Sequence, residues 1–384
     1  MSLQTKINSL AHDLGPWQPP VMLDLSDKVD TVYAEKLIDN NEVEHIIDKV
    51  GCLALDLYSM RKVLDGLEVD QQDYIQEVES KGLGFGKWFY FPWDKSFVRY
   101  LDRDDHRDLR TFRNKNLISR TEQEVLYAAR VAVFGLSVGS SVVESLAMSG
   151  IGGTLILGDF DALELSNTNR LNSYVESVGS EKIDIAAKKI SKIDPYIYQV
   201  HLPQGLDDDF EKSGVEYDMM FDEVDDLSAK FKMRDLSKRS EKPLIMVTDA
   251  GDRAIIDIER YDTEPKTEMF LGKIKEECLH GIVDESLSDS EKKAIIARFV
   301  GIKNISGRLI KSVMLIGEEL GGIPQLFTTA NIGGSLGAIA AREIILGRDI
   351  KSGRYVSNFR KTFKLGSPDG VLSDLSSFYA FLKK

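Results

Sequence analysis

"RVAVFGLSVGSSVVESLAMSGIGGTLILGDFD", residues 130–161, reads as a strand, a glycine turn, a helix and a second strand. The apolar run Val131–Phe134 suits a strand buried on both faces, and Gly139 to Ser149 suits a helix packed beside it. Two chemistries compete for the turn. Gly135 and Gly139 let backbone N–H groups approach an anion, with the positive end of the following helix behind them. The same residues also spell G-x-S-x-G, the sharp turn that presents a nucleophilic serine in some hydrolases, here Ser137. That reading needs a histidine and an acid later in the chain, and only His201 and His280 follow Ser137. An elbow serine also ends a central strand of an established sheet, whereas this turn follows the first strand of its series. Asp159, 24 residues after Gly135, ends the second strand where an acid can hold a ribose hydroxyl. The turn is expected to cradle phosphate.

Beyond residue 161 the βα alternation continues: a helix over 181–193 stopped near Pro195, strands in YQVHLP and YDMMFDEV, a helix from Asp226 to about Ser240, then the strand PLIMVTDA. The expected fold is α/β, a doubly wound, mostly parallel Rossmann-like sheet with an N-terminal α+β extension. Residues 1–110 form that extension, 111–350 the nucleotide-binding domain and 351–384 a C-terminal tail. In the extension, helical periodicity runs through TVYAEKLIDNNEVEHIIDKVGCLALDLYSMRKVL, and GLGFGKWFYFPWDKSFVRYL reads as a hairpin around Pro92. Its aromatic cluster (Trp88, Phe89, Tyr90, Phe91 and Trp93) reads as packing surface, the alternative being a platform for a peptide. LFTTANIGGSLGAIAAREIILG is a closing helix that Gly347 can cap. Its small-residue face (Ala330, Gly333, Gly334, Gly337, Ala338 and Ala341) invites close approach of another element.

The chain has 384 residues and a net charge of −13, which argues against a general nucleic-acid surface. No apolar stretch is long enough to span a membrane, and the N-terminus lacks a signal-peptide core. Two distant cysteines, Cys52 and Cys278, supply neither a disulfide framework nor a zinc pair, and a cytoplasmic location is expected.

Several charges then converge on strand ends. LELSNTNR follows Asp159 and Asp161, Lys182 opens the next helix, and FDEVDDL sets Asp222, Asp225 and Asp226 after a later strand. In open α/β sheets ligands bind at those carboxyl ends. A dinucleotide oxidoreductase has little use for such a set. A triphosphate does, since Arg170 and Lys182 can neutralise phosphate oxygens and an Asp can hold Mg²⁺.

This stretch resembles the ThiF, MoeB and HesA family, whose adenylation domain is shared with ubiquitin-activating enzymes. The resemblance rests on the glycine turn, Asp159-x-Asp161, Ser166-Asn167-Thr168-Asn169-Arg170, Lys182 and Asp222-Glu-Val-Asp225, and covers about residues 111–347. It implies an ATP-dependent adenylyltransferase that activates a carboxylate, at the C-terminus of a small ubiquitin-like or sulfur-carrier protein or of a peptide, as an acyl-adenylate. It also implies roles: Gly135 and Gly139 at the phosphates, Asp159 at the ribose, Asp161 among the nucleotide-binding residues, Asn167 and Arg170 at the phosphates, Lys182 at the α- or β-phosphate, and Asp225 at Mg²⁺. A homodimer is expected, in which Arg113 or Lys115 of one subunit serves the other's nucleotide. The chain departs from the family pattern at Ser137, Leu171, Asp226, Lys230 and Arg234, and it lacks the family's zinc cysteines. Cys278, flanked by acids in IKEECLHGIV, reads as structural rather than as a thioester nucleophile. The alternatives are a peptide- or tRNA-modifying relative acting on another carboxylate, an NAD-binding oxidoreductase and an inactive scaffold.

Overall fold

The computed structural model describes residue 3 and residues 15–366, apart from 284–286, 289–290, 292–294, 297–298, 302–304, 306 and 317–318. Two compact units emerge, one of residues 1–123 with 187–196, the other of 124–186 with 197–384.

The first unit carries a four-stranded sheet in the order β1-β3-β4-β2: β1 (Val21–Leu23), β2 (His45–Ile47), β3 (Lys87–Phe91) and β4 (Ser96–Tyr100). Its helices are α1 (Lys28–Asp39), α2 (Val50–Leu64), α3 (Gln71–Ser80) and α4 (Arg103–Arg110). The expected hairpin is β3 paired antiparallel with β4. Its alternating side chains supply two cores. Trp88 and Tyr90 pack with Leu23, Ala34, Leu37 and Phe97, while Phe89, Phe91 and Trp93 pack with Tyr196. The aromatic cluster is therefore packing surface, each ring at most 7% exposed. The long helical stretch differs from expectation. Asn41, in the left-handed region at φ 57°, ends α1, and His45–Ile47 pair parallel with Ser96–Val98 before α2 begins.

The second unit is the doubly wound sheet. Its strands are β5 (Arg130–Phe134), β6 (Thr154–Gly158), β7 (Tyr198–Leu202), β8 (Met219–Asp222), β9 (Pro243–Asp249), β10 (Arg253–Arg260) and β11 (Gly353–Asn358), in the order β11-β10-β9-β8-β5-β6-β7. From β7 to β9 all neighbours are parallel; β10 and β11 are antiparallel additions, so residues 353–358 join the sheet edge. The chain order reverses between β5 and β8, which opens the crevice where such sheets bind ligands. The helices are α5 (Arg120–Ala128), α6 (Val138–Met148), α7 (Lys182–Ile193), α8 (Asp208–Lys212), α9 (Leu227–Arg239), α10 (Glu276–Val283), α11 (Gly307–Met314) and α12 (Phe327–Ile345); α5 and α7 each have residues in both units. Strand alternation sorts the core. Ala132, Phe134, Met220 and Leu244 face a cluster that includes Met233 and Leu236 of α9, while Phe221 and Val247 face α12.

The small-residue face of α12, expected to meet another element, packs within its own unit. A Cβ on Gly334 would stand 2.6 Å from the Ser141 carbonyl carbon of α6, and one on Gly333 or Gly337 would meet Val247 of β9 at 2.8 and 3.0 Å. The face is thus spent inside the protomer and lends no support to a dimer. Helix propensity alone favours Ala over Gly by about 1 kcal/mol. Gly334→Ala is nevertheless expected to lower the unfolding free energy by about 1–2 kcal/mol net, because backbone cannot yield as a side chain does. Denaturant titration reads this directly, and an unchanged midpoint would show that α6 and α12 part freely.

Among the described residues, no helix is long and apolar enough to cross a membrane.

Candidate nucleotide site

The turn after β5 is built for close backbone approach. Gly135 has φ +86°, and a Cβ there would lie 2.3 Å from the Glu223 carbonyl oxygen, so only glycine fits between the β5 and β8 ends. Gly139, in the first turn of α6, would push a Cβ to 3.1 Å from Val133 and 3.3 Å from Glu223. The Gly135 amide donates to Gly158 of β6 at 2.8 Å, which ties the turn to the next strand.

Asp159 completes that tie. One carboxylate oxygen accepts the Leu136 amide of the turn, and the other accepts the Asp161 amide at 2.7 Å. Only 8% exposed, its carboxyl is pushed up by burial, against the pull of those two amides and of Lys182. Asp161 pairs with Lys182, Oδ2 to Nζ at 2.7 Å, and its carbonyl accepts the Lys182 amide at 2.9 Å. Lys182 is 8% exposed, so this ammonium is already steered by an acid at the start of α7.

The Ser166–Arg170 block folds as a 3-10 turn, Leu165–Asn169. Asn167, 7% exposed, closes a capping box with Glu164, accepting the Glu164 amide at 3.2 Å. Arg170 crosses to the glycine turn, its Nε donating to the Ser137 hydroxyl at 3.3 Å, while Nη1 donates to Asn169 Oδ1 at 3.1 Å. The Ser137 hydroxyl therefore meets a guanidinium where a hydrolase serine needs an imidazole. His201 lies in β7 against Gln199, and burial lowers its pKa to about 4. Ser137→Ala is expected to keep nucleotide affinity within about threefold, since all its side chain loses is one long hydrogen bond from the Arg170 guanidinium, which stays free to meet phosphate. Stoichiometric labelling of Ser137 by a fluorophosphonate would sink that account.

The acids after β8 divide sharply. Asp222, expected among the open carboxylates, is fully buried and paired with Lys230 at 3.0 Å and with Arg234. These two cations hold its carboxyl below the usual range despite burial. Arg234 in turn donates to Glu259 of β10 at 2.8 Å and lies over the Phe270 ring, 4.0 Å from its centroid. Asp222 is thus a structural ion, not a site carboxylate, and Lys230 and Arg234 are its partners. Glu223 is turned inward too, accepting the Val247 amide at 2.8 Å, and burial drives its carboxyl well up. Asp226 caps α9 by accepting the Ala229 amide at 2.7 Å. Of the run, Asp225 alone is exposed with no hydrogen bond among the described residues holding it.

One acid escaped the sequence reading. Asp249 ends β9 and is 9% exposed. Its carboxyl is pushed up by burial and by Asp225 and pulled down by Gln325 and Arg170, which places it in the field of the same groups. The available signal was its position, an acid closing the strand beside β8. Arg113 and Lys115 are exposed in the first unit, Arg113 within the 3-10 turn Phe112–Asn114. Cys278 packs against the apolar cluster of Phe270, Ile274 and Ile282, as a structural cysteine does.

The order of the parallel strands, with a glycine turn, two acids and an arginine at the switch point, defines a nucleotide-binding α/β domain of the doubly wound class. The ThiF family profile matches residues 111–356, more than half of the chain. The chain belongs to the ThiF family. It is 35% identical over 272 residues to an uncharacterized protein of Mycobacterium tuberculosis, a match that covers 70% of this chain and 37% of that protein. It is 28% identical over 187 residues to the tRNA threonylcarbamoyladenosine dehydratase of Bacillus subtilis, covering 46% of this chain and 73% of the relative. Against the molybdopterin-synthase adenylyltransferase of Salmonella typhimurium, identity is 32% over 126 residues, covering 32% and 50% of the two chains.

Proposed function

We propose that this chain is an ATP-dependent adenylyltransferase that converts a carboxylate into an acyl-adenylate and releases pyrophosphate. The observation that carries the reading is the crevice between β5 and β8, where Arg170 reaches across the Gly135 turn while Asp159 braces it. Membership of the ThiF family supports it. Asp159 faces the ribose, and the amides of the turn, Asn167 and Arg170 face the phosphates. Lys182 shifts part of its attention from Asp161 to the α- or β-phosphate, a small movement for a flexible ammonium. The acceptor's carboxylate oxygen attacks the α-phosphorus, a new oxygen–phosphorus bond forms, and the bond to pyrophosphate breaks. An ionised carboxylate needs no general base, so the protein's task is charge neutralisation in a preorganised site.

The donor chemistry suits Mg²⁺, which is held through one or two carboxylates plus substrate phosphates, and Asp225 offers one exposed carboxylate at the crevice. When bound, Mg²⁺ neutralises phosphate oxygens and the leaving pyrophosphate. Among the described residues no three acids, histidines or cysteines form a closed cage.

The acceptor is a small carrier protein or a peptide with an activatable C-terminus, a reading the molybdopterin-synthase relative favours. The Bacillus relative favours a tRNA-linked carboxylate instead, and the net charge of −13 weighs against that polyanion. Calorimetry tests the core of the proposal: ATP with Mg²⁺ is expected to bind and NAD not to, and the converse would overturn it. We further propose a homodimer in which Arg113 or Lys115 serves the neighbouring nucleotide. Light scattering at the 43.0 kDa monomer mass across micromolar concentrations would remove it. Mixing Arg113→Ala with Asp225→Ala subunits is expected to restore about a quarter of the sites, by counting on a two-fold dimer.

A further inference from the structure

A chain of hydrogen bonds runs from the end of β9 to the phosphate-facing arginine. Asp249 Oδ1 accepts from Gln325 Nε2 at 2.9 Å. The backbone carbonyl of Gln325 accepts from Asn169 Nδ2, also at 2.9 Å. Asn169 Oδ1 accepts from Arg170 Nη1 at 3.1 Å, and Arg170 Nε reaches Ser137 of the glycine turn. We infer that Asp249, acting through Gln325 and Asn169, is a positioning residue that sets the Arg170 guanidinium across the phosphate end of the crevice. The inference rests on the nucleotide-binding reading above.

The physical reason is preorganisation. An arginine has many rotamers, and fixing it before the ligand arrives removes that ordering cost from binding. Arg170 projects from a 3-10 turn, Leu165–Asn169, which is a weak platform by itself. Gln325 lies in the irregular link just before α12, equally poor at holding a geometry alone. Asp249 is different, because it ends a seven-residue strand in the middle of the sheet and is 9% exposed. A rigid strand end therefore anchors two loops by one buried acceptor. Asp249 Oδ2 is buried without a hydrogen-bond partner among the described residues, so the bond to Gln325 is the carboxylate's one side-chain tie there. A buried carboxylate left half satisfied is costly to keep, which points to a use at the site rather than to stability.

The test measures ATP and adenosine affinity of the full chain by calorimetry with Mg²⁺ present. Gln325→Ala removes the donor from a loop outside the sheet, so it keeps the proposal testable even where Asp249→Ala fails to fold. Each of the two is expected to weaken ATP about tenfold while adenosine affinity stays within about twofold, since Arg170 serves phosphates only. The double variant is expected to be no weaker than the poorer single one, because both cut the same chain of bonds. Asp249→Asn keeps an acceptor facing Gln325 and is expected to restore most of the affinity lost in Asp249→Ala. Unchanged ATP affinity in Gln325→Ala overturns the positioning role, as does Asp249→Asn losing as much as Asp249→Ala, which would make the charge itself the requirement. Absence of ATP binding in the unaltered chain is a separate outcome, which removes the nucleotide reading and this inference with it.

Discussion

Pyrophosphate exchange into ATP, driven by the acceptor, is expected to fall by at least ~100-fold in Asp225→Ala, while ATP affinity falls by less than about tenfold. The split follows from when the charge is needed. In the proposed site the ground-state triphosphate would already meet the amides of the Gly135 turn, Arg170 and Lys182, so one carboxylate is a modest part of binding. As the bond to pyrophosphate breaks, negative charge builds on the leaving oxygens, and the cation that Asp225 would hold matters most then. Asp225 is also the residue whose removal disturbs the least structure. Asp222, Glu223 and Asp226 are committed to Arg234, Val247 and Ala229, whereas Asp225 is exposed with no hydrogen bond among the described residues. Asp226→Ala serves as the contrast: losing a helix cap costs about 1 kcal/mol of stability and leaves the exchange reaction running. Equal exchange rates in Asp225→Ala and the unaltered chain would remove Asp225 from the site.

That contrast also marks what could be read from sequence. The parallel strands were legible because β5, β6, β8 and β9 are buried on both faces and read as unbroken apolar runs. The S-N-x-N-R block was legible because its residue types and spacing are unusual together, and in the structure Arg170 reaches the Ser137 hydroxyl of the turn. Four features were not legible, for different reasons. His45–Ile47 is a three-residue exposed edge strand whose apolar spacing fits a helix equally well, so only its pairing with Ser96–Val98 reveals it. The glycines of α12 announce close packing but not the partner, which is Ser141 and Val247 of the same unit. Asp249 belongs to no recognisable motif in its stretch of sequence, and its partner Gln325 is 76 residues away. Lys230 and Arg234 could be recognised as departures from the family pattern, but not as a matched set with Asp222 and Glu259, because the fourth member sits on β10.

That matched set yields the largest expected effect on stability. Arg234 is fully buried between two fully buried acids, Asp222 and Glu259. Arg234→Ala leaves both without their shared cation and opens a void against Phe270, so a loss of about 3–5 kcal/mol at pH 7 is expected. Lys230 limits the damage on one side only, since it pairs with Asp222 and not with Glu259. The pH dependence distinguishes this cause from simple cavity formation. Burial holds the Glu259 carboxyl above its ordinary value even with Arg234 pulling it down, so removing Arg234 must raise it further. A carboxyl raised in the folded state binds its proton there first, so its penalty is relieved as pH falls through that raised value toward the ordinary glutamate range. The deficit of Arg234→Ala relative to the unaltered chain should therefore shrink between pH 7 and pH 5. Asp222 works the other way, because its lowered carboxyl contributes stability at neutral pH that is lost only as pH falls below the ordinary aspartate range. In the unaltered chain its effect therefore lies below that window. Adding Glu259→Gln to Arg234→Ala should recover part of the loss at pH 7 and flatten the pH dependence, since Tyr261 and the Phe270 amide donate to the same Glu259 oxygen, Oε2, which an amide oxygen can replace. A deficit that stays constant from pH 7 to pH 5 would mean that the lost volume, not the stranded charge, sets the cost. The loop carrying Asp225 lies directly between Asp222 and α9, so the same ions that hold the core also tie together the two ends of that loop.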